Sequence, residues 1–203
     1  TMESAGVSCE LSANIRLEGV YKIFGSQPRG RALALAKAGS SKDDVQTLTD
    51  HVVGLADVNF EVAEGEIFVV MGLSGSGKST LVRCLSGLTD VTAGSVRIDG
   101  DDVTSMSSSQ LRALRRSKLS MVFQHFGLFP HRRVIDNAAF GLEVQGVSKV
   151  DRRARALEVL EIVGLAGFEQ HYPQQLSGGM QQRVGLARAI AVDPEVLFFD
   201  EPF

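Results

Sequence analysis

Apolar residues in this chain fall into short runs punctuated by glycine and proline, and their spacing predicts alternating strands and helices. Ile15 to Phe24 alternates as a strand, with Ile15 and Leu17 on one face and Val20 as a further member. Pro28, Gly30 and Gly39 interrupt the chain; Arg31–Ala38 and Ser41–Thr47 read as short helices between and after them. Val58 to Val62 reads as a strand and Glu64-Gly65 as a turn. Glu66 to Met71 is an apolar run bounded by Gly65 and Gly72, the pattern of a buried parallel strand. The next helix spans about Lys78 to Leu88, with Leu81, Val82, Leu85 and Leu88 on one face. Ser95 to Ile98 before Asp99-Gly100 looks like a hairpin edge, and Ser107 with Gln110 forms a capping box for a helix to about Arg116.

Leu119 to Phe123 and Val196 to Phe199 are two further strands. Between them the texture is helical: Val134–Val144, Val150–Val163 behind a Ser148/Asp151 cap, and a helix starting near Gly178. The alternation gives an α/β fold with a mainly parallel sheet, and the helical block reads as an insertion between two core strands. Residues 1–14 are expected to be loose, residues 15–203 to form one domain, and about 125–189 its helical subdomain.

Composition narrows the function classes. The 203 residues carry a formal net charge of −3 with both signs interspersed, which argues against a nucleic-acid surface held by bulk charge. Cys9 and Cys84 read as two free thiols in a reducing compartment. No run approaches the ~18 apolar residues of a membrane-spanning helix, so service to a membrane would go through another protein.

Three stretches carry chemistry. The first is Gly72-Leu73-Ser74-Gly75-Ser76-Gly77-Lys78-Ser79-Thr80, which fits G-x-x-x-x-G-K-[ST]. Its glycines let the backbone curl so that several N–H groups face one phosphate, and the following helix adds its positive end. Lys78 would reach the β- and γ-phosphates of ATP, and Ser79 would ligate Mg²⁺. The second is Val196-Leu197-Phe198-Phe199-Asp200-Glu201, an apolar strand ending in two carboxylates. Asp200 suits Mg²⁺, and Glu201 is placed to orient or deprotonate an attacking water. The third is Leu176-Ser177-Gly178-Gly179-Met180, where Ser177 can cap a helix and Gly178 and Gly179 bare their amides to a second anion.

The order of phosphate loop, lone glutamine, LSGG and apolar strand with Asp-Glu resembles the nucleotide-binding domain of ABC transporters, from Ile15 to Phe203. The resemblance implies a P-loop NTPase (RecA-like) core, an antiparallel β subdomain, an inserted α-helical subdomain, and ATP hydrolysis with Mg²⁺. It implies a head-to-tail homodimer in which each ATP lies between one phosphate loop and the partner's LSGG, with Ser177 and Gly179 at the γ-phosphate. Gln124 is similar to the family's glutamine that touches Mg²⁺ or the attacking water and senses the membrane subunit. Phe24 looks like the aromatic that stacks on adenine, with Tyr21 as second choice and a core aromatic as the alternative.

The segment Gly30–Val53, together with EIFVVMGLSGSGKSTLVRCLSGL, MVFQHFGLFPHRRVIDNAAFGLE and YPQQLSGGMQQRVGLARA, resembles the ATPases of importers for glycine betaine, proline and other quaternary amines. That implies a permease partner and, indirectly, a solute-binding protein, no nucleic acid, and a peripheral place on the cytoplasmic face of the membrane. An ABC ATPase for another small polar solute such as an amino acid, or a soluble ABC ATPase outside transport, is the alternative. Phe126, Leu128 and Phe129 are a candidate permease contact, with core packing as the alternative. The family's switch histidine and dimer-contact loop would follow Phe203, since His51, His125, His131 and His171 all precede Asp200. The fold is therefore expected to be incomplete at the C-terminus, with Ile67–Val70 an unpaired apolar edge and the 203 residues without turnover.

Overall fold

The computed structural model describes residues 13–123 and 127–200. The chain divides into two compact units, one up to Met106 and one from Ser107. The stretch 1–14 expected to be loose falls almost wholly outside the described residues, as do Gln124 and Glu201.

The first unit is built on β1 (Ala13–Phe24), β2 (Val52–Ala63), β3 (Ala93–Ile98) and β4 (Asp101–Asp102), an antiparallel sheet in the order β2-β1-β3-β4. Its central strand carries a bulge: Leu17 pairs with Phe60 but Val20 with Val58, and Gly19 between them takes φ 54. One inserted residue resets the alternation, so Val20 continues the buried row of Ile15 and Leu17. Tyr21 and Ile23 then point to the opposite face. There α1 (Arg31–Lys37) and α2 (Lys42–Thr49) cover them with Ala32, Ala36 and Val45. The inserted segment is thus a second layer on one face of the sheet. α2 starts as its sequence suggests, with the Ser41 hydroxyl accepting from the Asp44 amide at 3.1 Å.

The second unit pairs β5 (Leu119–Val122) with β6 (Val196–Phe199) in parallel, Val122 opposite Phe199. Before β5 runs α4 (Ser108–Ser117), whose capping box of Ser107 and Gln110 is present as expected. Between the strands lie α5 (Val134–Ala138), α6 (Phe140–Gln145), α7 (Lys149–Ile162) and α8 (Gly178–Ala191) around one apolar core that includes Val134, Ile135, Val159, Leu160, Leu165 and Val184. The helix expected over Val134–Val144 is two pieces broken at Ala139.

Two expectations are corrected. Glu66–Met71 is not a buried strand: it has no regular structure, and Ile67 and Met71 are about nine-tenths exposed. A parallel strand exists only with a ladder neighbour, and among the described residues none pairs with this run; its one aromatic contact is Phe68 stacked on Phe60. For the same reason the described sheets are not mainly parallel, since only β5 and β6 pair that way.

Candidate nucleotide site

Each unit presents its own share of the candidate residues. In the first, the loop Gly72–Gly77 leads into α3 (Lys78–Leu85), whose apolar face buries Leu81, Cys84 and Leu85. Gly77 caps α3 at φ 107, and a Cβ there would stand 2.5 Å from the Gly54 carbonyl oxygen. Only glycine lets the first turn of α3 sit this close to β2. The Lys78 ammonium folds back over the loop and donates to the carbonyls of Gly72 at 3.0 Å and Leu73 at 3.1 Å. Those carbonyls hold the cation over the curl of the loop backbone. Ser79 and Thr80 are half-buried in the first turn of α3, and Leu73, Ser74, Gly75 and Ser76 are exposed.

Phe24 ends β1 with 43% of its surface exposed, whereas Tyr21 is buried in the sheet. The exposed ring is therefore the one able to stack on a ligand, and the Lys22 ammonium lies 5.0 Å from its centroid. A Cβ on Gly54 would meet Phe24 Cε2 at 2.9 Å and Thr80 Cγ2 at 3.2 Å. Gly54 thus lets the aromatic ring and the phosphate-loop helix flank one point of β2. Sequence reasoning did not single out Gly54; its signal was a glycine between the buried Val53 and Leu55.

In the second unit Leu176 is buried in the helical core, which fixes the start of α8. The Ser177 hydroxyl accepts from the Met180 amide at 3.3 Å, the cap expected of it. Gln181 Nε2 donates to the carbonyls of Pro173 and Leu176. Arg183 Nη1 donates to Val163 and Gly164, satisfying carbonyls at the end of α7. A Cβ on Gly178 or Gly179 would meet nothing within 4 Å. Among the described residues no neighbouring atom requires glycine at either position. Asp200 follows β6, is 4% exposed, and donates its amide to the Val122 carbonyl at 3.0 Å.

The loop 129–133 is held by a residue sequence reasoning passed over. Asn137 is fully buried in α5; its Oδ1 accepts from the Phe129 amide at 2.8 Å, and its Nδ2 donates to the carbonyls of Phe129, Arg132 and Arg133. Leu128 packs against the helical core, and Phe129 lies 4.5 Å from the Phe140 ring; both are half-buried. Phe126 is outside the described residues. Beside them, Arg132 pairs with Glu143 at 2.7 Å and holds that carboxyl below the usual carboxylate range.

The family model described as ABC transporter matches residues 55–203. The chain belongs to the ABC transporter family. Among ABC transporter relatives, the glycine betaine transport ATP-binding protein OpuAA of Bacillus subtilis is 55% identical over 96% of this chain and 46% of its own length. The trimethylamine N-oxide transport system ATP-binding protein TmoW of Ruegeria pomeroyi is 52% identical over 93% of this chain and 55% of its own length. The glycine betaine/proline betaine transport system ATP-binding protein ProV of Escherichia coli is 48% identical over 95% of this chain and 48% of its own length. The chain thus spans about half the length of the curated ABC relatives it matches.

A dimeric post-hydrolysis state of the ATP-binding cassette MJ0796, bound to ADP and Pi, overlays with a TM-score of 0.77 at 33% identity, over 93% of this chain and 74% of that one. The fold is that of an ABC cassette: a P-loop NTPase core, an antiparallel β subdomain and an inserted helical subdomain. No helix among the described residues is long and apolar enough to cross a membrane.

Proposed function

We propose that the intact protein is the ATP-hydrolysing subunit of an importer for compatible solutes such as glycine betaine, proline or related quaternary amines. The observation that carries this reading is the phosphate loop seated on β2 through Gly77 and Gly54, with the Lys78 ammonium already drawn over it. Supporting the substrate class is the 55% identity to a glycine betaine transport ATP-binding protein over 194 residues. A methionine import ATP-binding protein of Lactiplantibacillus plantarum is 51% identical, but over 150 residues, so the amino-acid importer reading accounts for less of the chain.

In this reading Gly72, Leu73, Ser74, Gly75, Ser76, Gly77 and Thr80 offer loop and helix amides to the phosphates, Lys78 neutralises the β- and γ-oxygens, and Phe24 stacks on the base. The hydroxyl of Ser79, the carboxylate of Asp200 and the amide of Gln124 are the hard oxygen donors that Mg²⁺ takes. When bound, the metal supplies positive charge to the phosphoryl oxygens. Glu201 accepts the proton of the attacking water as it bonds to the γ-phosphorus and ADP departs. Gln124 helps orient that water.

Ser177, Gly178 and Gly179 meet the γ-phosphate of the ATP held by a second copy, in a head-to-tail homodimer. The open space around both glycines supports this role. A permease subunit carries the protein on the cytoplasmic face of the membrane, a solute-binding protein acts through the permease, and the solute never touches this chain. The decisive experiment is uptake of labelled glycine betaine by cells lacking the subunit. The wild-type gene should restore uptake, and Lys78→Ala should not, since it removes a charge-assisted phosphate contact worth roughly 1.5–3 kcal/mol. Uptake that survives Lys78→Ala contradicts the reading.

A further inference from the structure

Two adjacent glycines open α8, and a glycine backbone is the least restrained by its own side chain. Whatever fixes the direction of this entry must come from its flanks. On the near flank Leu176 buries its side chain in the helical core and donates its amide to the Pro173 carbonyl at 3.1 Å. On the far flank Gln181, in the first turn of α8, donates its backbone amide to the Ser177 carbonyl at 2.9 Å. Its side chain turns back across the glycines: the Nε2 protons reach the carbonyls of Pro173 at 3.0 Å and Leu176 at 3.2 Å. Carbonyls only accept, so it is the nitrogen of the side-chain amide that must face them.

The bond to Leu176 sets a peptide plane. The Leu176 carbonyl and the Ser177 amide belong to one planar trans peptide, in which they point in opposite directions. Gln181, by holding the carbonyl, therefore turns the Ser177 N–H the other way, out from the helix entry. The first amides of a helix lack an intrahelical acceptor. Here the Ser177 hydroxyl takes that of Met180, and among the described residues the amides of Ser177, Gly178 and Gly179 have none.

We propose that Gln181 is a positioning residue for the ATP held by a second copy: its side chain pins the approach to α8, so that the Ser177 amide and hydroxyl and the two glycine amides present a fixed cluster to the γ-phosphate. The proposal rests on the reading of the LSGG segment as the part that meets that phosphate. Gln181 itself touches no nucleotide. It acts through the Leu176–Ser177 peptide, and what matters at this position is a side chain that donates.

The test is sedimentation of the intact protein with ATP, in the Glu201→Gln background so that ATP is not consumed, comparing Gln181 with Gln181→Met and Gln181→Lys. Methionine keeps the length and loses both donors; lysine restores N–H donors on a flexible stem. Two donor bonds are lost per copy, so the dimer dissociation constant should rise about tenfold or more in Gln181→Met and return to within about threefold of the parent in Gln181→Lys. Equilibrium binding of ATP to protein too dilute to dimerise should be the same in all three, which general damage to the fold would not leave alone. Should Gln181→Met not fold, Gln181→Glu, which turns an acceptor towards both carbonyls, takes its place with the same expected loss. Parent-like dimerisation without the donors, a lysine no better than methionine, or an equal loss of ATP affinity in the dilute protein overturns the proposal. Gly179→Ala in the same background separates it from the reading beneath. If that variant dimerises like the parent, the LSGG reading is wrong; if it fails to dimerise while Gln181→Met succeeds, only the role of Gln181 is.

Discussion

Replacing Gly77 with alanine should disable nucleotide binding through geometry alone, with no change in charge. At φ 107 the residue occupies backbone space that an L-side chain adopts at a cost of about 1–3 kcal/mol. The new methyl would lie 2.5 Å from the Gly54 carbonyl oxygen, roughly 1 Å short of ordinary contact. Relief requires α3 to lift from β2, and overpacking of this kind costs about 1–3 kcal/mol more. The loop that Lys78 folds over hangs on that junction. If only about 2 kcal/mol of the strain falls on the bound conformation, the dissociation constant for ATP rises about 30-fold. Gly75 supplies the control: its φ is +77, but a Cβ there meets nothing within 4 Å, so Gly75→Ala bears the backbone cost alone. Calorimetric titration with ATP and thermal unfolding of both variants should rank Gly77→Ala well below Gly75→Ala. Parent-like affinity and melting temperature for Gly77→Ala would refute the idea that close approach to β2 shapes the phosphate loop.

Two other outcomes follow from the same geometry. Gly179→Ala meets no atom and gains helix propensity, so its melting temperature should match or exceed the parent's while ATP-dependent dimerisation and hydrolysis fall; retained hydrolysis would place the LSGG segment outside the site. Burial pushes the Cys84 thiol up to about 11, so it stays protonated at neutral pH and should resist a thiol reagent in the native protein, with labelling only on unfolding; rapid native labelling would show that the α3 face is open.

Local signals in the sequence carried far. The caps at Ser107, Ser148 and Ser177 all form, because a hydroxyl two or three residues from a bare amide needs nothing else. β6 begins and ends where its apolar run does. β2 starts six residues before the run Val58–Val62 suggested, since Gly54 and Asp57 look like breakers until β1 is alongside. Glu66–Met71 failed for the complementary reason: its apolar run has strand propensity, but a strand is a pairing, and the partner is not written in the run itself. Likewise, the sequence marked Phe24 and Lys78 by residue type. The partners of His51 and Asn137 are mostly backbone carbonyls, which leave no mark in a sequence.

The central claim is that ATP is held between the phosphate loop of one copy and the LSGG segment of another, with Glu201 as the base. Glu201→Gln removes the proton acceptor, a loss of about 10²–10⁴ in rate, and leaves every phosphate contact in place. Sedimentation of the intact Glu201→Gln protein with ATP tests this directly. The account predicts a stable dimer carrying two unhydrolysed ATP molecules, and a monomer when ADP replaces ATP. A protein that binds ATP yet stays monomeric, or that hydrolyses it at the parent rate, would contradict it.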